Sequence, residues 1–115
     1  MDNHKYTWHK IAGSIAEINF CSNGLAEITV MGKTVCIARY NNTLRACAQK
    51  CPHAGGNLAD GYLDPTGNIV CPLHQYKFSL SNGRNISGEG YFLKTYLLEE
   101  RLDGIYIAIN QNLVF

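Results

Sequence analysis

The sequence predicts an all-β protein, an antiparallel β-sandwich or barrel interrupted by a small subdomain of loops and short strands. Three observations carry that expectation. Ala26-Glu27-Ile28-Thr29-Val30 alternates apolar with polar residues, as a half-buried strand does. Two-residue turn signals at Gly32-Lys33, Asn41-Asn42 and Asp103-Gly104 separate β-rich runs. No stretch of about ten or more residues combines helical periodicity with capping residues.

Taken in order, residues 1–10 contain no apolar run, so neither a secretory signal nor an N-terminal membrane anchor is expected. Nowhere do apolar residues continue for a membrane-spanning length. The run 26–30, the turn at Gly32-Lys33, the run Thr34 to Tyr40, the turn at Asn41-Asn42 and the run Thr43 to Ala48 read as a meander. Glycine- and proline-containing segments concentrate between residues 51 and 90, so an insertion of roughly 47–92 is expected within the scaffold. Inside it, Gly56 to Gly61 suits a short helical turn, and Asn68 to Cys71 and Tyr76 to Leu80 read as short strands joined by a loop. Lys94 to Leu102 and Gly104 to Ile109 complete a hairpin about Asp103-Gly104. At 115 residues the whole span, 1–115, reads as one domain.

The chemistry lies in the insertion. Cys51-Pro52-His53 and Cys71-Pro72-Leu73-His74 are separated by the seventeen residues between His53 and Cys71. Each segment offers one thiolate and one imidazole, and two such loops supply the ligands of a [2Fe–2S] cluster with cysteines on one iron and histidines on the other. Each proline stiffens its loop and removes one N–H, leaving its neighbours' N–H groups to face the inorganic sulfides. Two cysteines and two histidines are also a tetrahedral zinc set. Structural zinc sites, however, usually pair like with like, two cysteines followed by two histidines or a second cysteine pair, whereas here every loop is mixed.

Of five cysteines, two belong to this motif and three remain, an odd number that argues against a disulfide framework and for a reduced, cytoplasmic setting. Cys36, in Thr34-Val35-Cys36-Ile37-Ala38, reads as a small core residue. Cys21 and Cys47 are less defined; for Cys47, four residues before Cys51, an apolar neighbour is a simpler reading than a fifth ligand. His4 and His9 lack paired ligand spacing and read as surface or strand residues. The formal charge of +1 gives no reason to expect nucleic acid or a membrane surface as partner. Between Arg45 and Lys94 five basic residues face three acidic ones, too mild a balance for a steering patch.

With these residues in view, the chain resembles the Rieske-type ferredoxins of bacterial ring-hydroxylating dioxygenase systems. The resemblance rests on Cys51-Pro52-His53-Ala54-Gly55-Gly56, Cys71-Pro72-Leu73-His74-Gln75-Tyr76-Lys77-Phe78, the turn Ser81-Asn82-Gly83, and Leu93-Lys94-Thr95-Tyr96. It implies one [2Fe–2S] cluster, with Cys51 and Cys71 on an inner iron and His53 and His74 on an outer, more exposed one. Family members of high potential carry a disulfide between the two loops and a serine at the cluster. This chain has Gly56 and Leu73 at the disulfide positions and Tyr76 in place of the serine, which implies a low potential. Gln75 stands where relatives often have glycine, and Glu89 where a third loop commonly has proline.

The resemblance further implies a soluble one-electron carrier that takes electrons transiently from a flavin-dependent reductase and gives them to a terminal oxygenase. Pro52, Ala54 and Leu73 would form an apolar docking rim, which Tyr91 and Phe92 either join or underlie as core residues. Catalysis is not expected: a Rieske oxygenase also needs a mononuclear iron held by two histidines and a carboxylate, for which only His4 and His9 remain. Nor is there a glycine-rich dinucleotide fingerprint. The alternatives are a Rieske-like small subunit of a larger reductase such as nitrite reductase, and a structural zinc module.

Overall fold

The computed structural model describes residues 6–52, 55–86 and 90–110. Among these, the strands form three antiparallel sheets. The first contains β1 (Tyr6–Ala12), β10 (Gly104–Asn110) and β9 (Leu98–Arg101), in that spatial order. The second contains β2 (Leu25–Val30), β3 (Lys33–Tyr40), β4 (Thr43–Ala48) and β8 (Thr95–Tyr96). The third, lying in sequence between β4 and β8, is the small sheet β5 (Tyr62–Leu63), β6 (Asn68–Val70) and β7 (Lys77–Ser79). No helix among the described residues is long and apolar enough to cross a membrane.

The second sheet is a middle layer, which explains why β3 carries the continuous run Val35-Cys36-Ile37-Ala38, buried at every position, instead of an alternating pattern. Val35 and Ile37 point to one core with Ala26, Leu44, Ala46, Ile105, Ile107 and Ile109. Cys36 and Ala38 point the other way, into a core with Leu25, Cys47, Leu58, Ile69, Phe78 and the motif cysteines. Period-two geometry divides the run between the two cores. Truncating Ile37 to alanine would remove contacts from the scaffold core at a cost of about 2–5 kcal/mol.

Cys36 and Cys47 stand directly opposite each other in the β3–β4 register, both fully buried. The hydrogen bond between their thiols, then burial, push the Cys47 thiol well above its usual range. Both are therefore packing residues, in line with the sequence, which points to the core for Cys36 and to an apolar neighbour for Cys47. Cys36→Ser and Cys47→Ser should each cost about 1–3 kcal/mol through a more polar buried hydroxyl while retaining full iron content. Loss of the visible spectrum in Cys47→Ser alone would count against this assignment.

The structure refines several local expectations. The first hairpin turns at Met31-Gly32, one residue earlier than expected, because Val30 pairs with Lys33 and both turn residues have positive φ, 51° and 75°. The hairpin at Asn41-Asn42 is as read, with φ of 50° and 63°. Lys94 to Leu102 is not one strand: β8 pairs with β4, the chain breaks at exposed Leu97, whose carbonyl accepts from the Ala108 N–H at 3.0 Å, and β9 pairs with β10. Such a strand changes sheets at a corner. Strand β1 has no counterpart in the sequence reading; its pairing partner β10 lies at the far end of the sequence, a signal absent from any local window. The short helical turn expected at Gly56 to Gly61 is a 3₁₀ turn over Leu58–Asp60.

Candidate metal centre

The two motif segments are loops at one end of the small sheet, each closed by the same backbone bond. The Cys51 N–H donates to the Gly56 carbonyl at 2.8 Å, and the Cys71 N–H donates to the Tyr76 carbonyl at 2.8 Å. In the first loop the Gly55 N–H also returns to the Cys51 carbonyl at 2.9 Å. The second loop joins β6 to β7 and inherits their pairing, Asn68 with Ser79, Ile69 with Phe78 and Val70 with Lys77.

Beneath these loops the structure brings Cys51 and Cys71 together, 1% and 0% exposed. Burial raises the Cys71 thiol, as does the neighbouring Cys51 thiol, against the lowering effect of the Leu73 N–H that faces its sulfur. Two thiols buried side by side with an amide N–H directed at one of them suit a cation that deprotonates them.

Leu73 crosses from the second loop to the first. A methyl group built on Gly56 would lie 3.0 Å from Leu73 Cδ1 and 3.3 Å from Cys71 Sγ, so the Leu73 side chain occupies the space that any larger residue at position 56 would need. The two loops are thereby braced by packing where high-potential relatives are expected to use a covalent link.

His74 lies on the exposed side of the second loop, with its ring edge-on to Tyr76 at a centroid distance of 6.3 Å. His74 and Gln75 both adopt left-handed backbone, φ 65° and 59°, which aims consecutive residues outward at a conformational cost of about 1–2 kcal/mol each. Gln75 is held there by its Oε1, which accepts from the Tyr62 hydroxyl at 2.9 Å. His53, Ala54 and Glu89 lie outside the described residues.

Among the described residues no three of His, Cys, Asp and Glu converge where a single ion could be held. A tetrahedral zinc requires all its ligands within about 2.0–2.3 Å of one point. A two-iron cluster takes thiolates and imidazoles on separate irons, a division with which a buried thiol pair and an exposed histidine are compatible. The donor chemistry, a buried thiol pair with an exposed histidine on the second loop, suits such a cluster.

Sequence reasoning missed the residues that support this centre. Asn23 Nδ2 donates to the carbonyls of Ala59 at 2.9 Å and Gly61 at 3.0 Å, tying the 3₁₀ turn to the scaffold. Asp64 organises the β5–β6 turn: Oδ1 accepts from the Thr66 N–H, the Thr66 hydroxyl and the Asn68 N–H, and Oδ2 from Asn68 Nδ2. Burial would raise its carboxyl, but these bonds from Asn68 and Thr66 prevail and hold it at about 2. The Asp64-Pro65-Thr66-Gly67 run carries a turn signal in the sequence; the reach of Asn23 does not.

The third segment resolves an open alternative. Tyr91 and Phe92 are exposed, 43% and 67%, while Leu93 beside them is buried and donates from its N–H to the Gly83 carbonyl at 2.8 Å. Ile86, also exposed, donates from its N–H to the carbonyl of Lys77, which follows the second loop, at 2.8 Å. Leu73, Ile86, Tyr91 and Phe92 are thus surface apolar residues on the half of the molecule that holds the thiol pair.

The chain is similar to several known proteins. A 3-phenylpropionate/cinnamic acid dioxygenase ferredoxin subunit of Photorhabdus laumondii is 27% identical over 78 residues, covering 67% of this chain and 74% of that protein. The ferredoxin of carbazole 1,9a-dioxygenase from Nocardioides aromaticivorans superposes with a TM-score of 0.75 at 20% identity, covering 88% of this chain and 96% of the other. A protein described as an NADH-dependent nitrite reductase small subunit from Mycobacterium tuberculosis superposes with a TM-score of 0.77 at 16% identity, over 91% and 96%. Residues 7–95 match the model of the Rieske [2Fe-2S] domain, and on that match, spanning both motif loops and most of the chain, the protein belongs to the Rieske [2Fe–2S] domain family.

Proposed function

We propose that the protein is a one-electron carrier of an oxygenase system in which Cys51 and Cys71 hold one iron of the cluster and His53 and His74 the other. The observation that carries this reading is the pairing of two fully buried thiols beneath a loop whose histidine is turned to the surface. The cluster supplies reversible one-electron chemistry. The chain's own residues do the rest: the loops fix the thiols, Leu73 and Gly56 brace the loops, and His74 presents its ring edge toward a docking partner. Outer-sphere transfer asks for such a rigid, partly exposed centre and little else.

The donor in this reading is a flavin-dependent reductase and the acceptor a terminal oxygenase, each met transiently in the cytoplasm, with no role for nucleic acid or membrane. Leu73, Ile86, Tyr91 and Phe92, with Pro52, supply an apolar docking face, since exposed clusters of large apolar residues mark interaction surfaces. The whole span 1–115 acts as one domain, with the segment of roughly 47–92 as its cluster-binding part.

The test is the purified protein itself. It should contain about two iron ions per chain, show a rhombic EPR signal on reduction and give a reversible wave near the low end of the Rieske range, about −150 mV. A colourless protein holding one zinc, or a potential well above zero, would refute it. The nitrite reductase resemblance supports a second reading, a subunit bound permanently in a larger enzyme. Elution as a free monomer favours the carrier; co-purification with a large subunit at fixed ratio favours the alternative.

A further inference from the structure

We propose that Glu27 is a positioning residue for the metal centre: one oxygen of its side chain joins the two stems of the first motif loop and so determines how firmly that loop holds Cys51. The inference rests on the ligand assignment proposed above.

Glu27 lies on β2, an edge strand of the middle sheet, opposite Cys36. Its Oε2 accepts from Gln49 Nε2 at 2.6 Å and from Asn57 Nδ2 at 2.7 Å. Gln49 precedes Cys51 by two residues and Asn57 directly follows Gly56, so a single atom spans the loop's entry and exit. Each partner has a second anchor inside the loop base. The Gln49 carbonyl accepts from the Leu58 N–H at 2.7 Å, and Asn57 Oδ1 accepts from the Ala59 N–H at 2.9 Å.

The two motif loops differ in what closes their stems. The second rests on a three-rung ladder between β6 and β7. The first has one isolated bridge, Lys50 with Asn57. The Glu27 oxygen supplies the cross-link that a ladder would otherwise give. The bonds from Gln49 and then Asn57 lower the Glu27 carboxyl, so both are charge-assisted at neutral pH and stronger than amide–amide bonds. Glutamate is a poor strand former, and at this exposed position it adds nothing to either core.

The experiment compares the holo-proteins of wild type, E27A and E27Q. Iron(II) release from the reduced protein is followed as the colour of its complex with bathophenanthroline disulfonate, alongside the EPR spectrum. E27A, which loses both bonds, should release iron about tenfold faster and show broadened g values. E27Q keeps a carbonyl oxygen with two lone pairs and should stay within about threefold of wild type with a native spectrum. I107V, in the scaffold core, should lower the unfolding temperature without speeding release. Should E27A not load iron at all, loading and near-native release by E27Q support the proposal, and equal failure of E27Q overturns it. E27A releasing iron at the wild-type rate, or I107V speeding release as much as E27A, also overturns it. A wild-type protein that binds no iron overturns the ligand assignment itself, and this inference with it.

Discussion

Replacing His74 with cysteine is expected to move the reduction potential downward by on the order of 100 mV or more, toward the roughly −400 mV of plant-type ferredoxins. An oxidised core of two Fe(III) and two sulfides is neutralised by two thiolates, so the wild-type centre gains its electron with no net charge to oppose it. A third thiolate makes the oxidised centre an anion, and reduction then adds charge to charge. Histidine is among the residues better tolerated in left-handed backbone, and cysteine at φ 65° is less so; the variant should therefore load less iron as well. Leu73→Ala changes packing beside the same ligand without adding charge, so its potential should stay near that of the wild type. Protein-film voltammetry on the iron-containing fraction decides the matter: a fully loaded His74→Cys protein at wild-type potential would exclude His74 as a ligand.

The site is more legible in the sequence than its supports are, and the reason is physical. Ligand chemistry is written in residue type and spacing, so Cys51 and Cys71 stand out from the chain itself, and the buried pairing of their thiols is what that reading requires. The meander β2–β3–β4 is legible because alternation and two-residue turns are local. The residues that hold the loops act over distance: Glu27 reaches Gln49 and Asn57 across 22 and 30 positions, and Asn23 reaches Ala59 and Gly61 across 36 and 38. Nothing in a local window marks such reach. The same holds for β1, whose pattern is only half apolar and which becomes a strand by pairing with β10, and for the break at Leu97, where two competing sheets divide one β-rich run. Cys36 and Cys47 show the converse. Their burial follows from the middle sheet having two covered faces, a fact of layering that the apolar run of β3 hints at and only the fold makes explicit.

Gly83→Ala should be among the most damaging single-methyl changes in the cluster-bearing half, costing about 3 kcal/mol or more out of the roughly 5–15 kcal/mol typical of a domain. Two penalties combine there. Gly83 has φ +79°, where alanine is strained by about 1–2 kcal/mol. A β-carbon at this position would also lie 2.0 Å from the Leu93 carbonyl oxygen, a backbone atom that cannot rotate away. The Gly83 carbonyl accepts the Leu93 N–H and the Gly83 N–H donates to the Ser79 carbonyl at 2.7 Å, so the displacement would pull β7 and the buried Leu93 apart together. Gly32 separates the two penalties: its φ of +75° is nearly the same, yet nothing lies within 4 Å of an added methyl. Gly32→Ala should therefore cost only the backbone strain, about 1 kcal/mol. Chemical denaturation of both variants, with iron content measured in parallel, tests the distinction. Gly83→Ala should unfold at clearly lower denaturant and lose iron, because Leu93 shares its core with Cys51 and Cys71, while Gly32→Ala should keep its iron. Equal midpoints for the two would mean that the third segment yields freely and that its packing does not secure the metal centre.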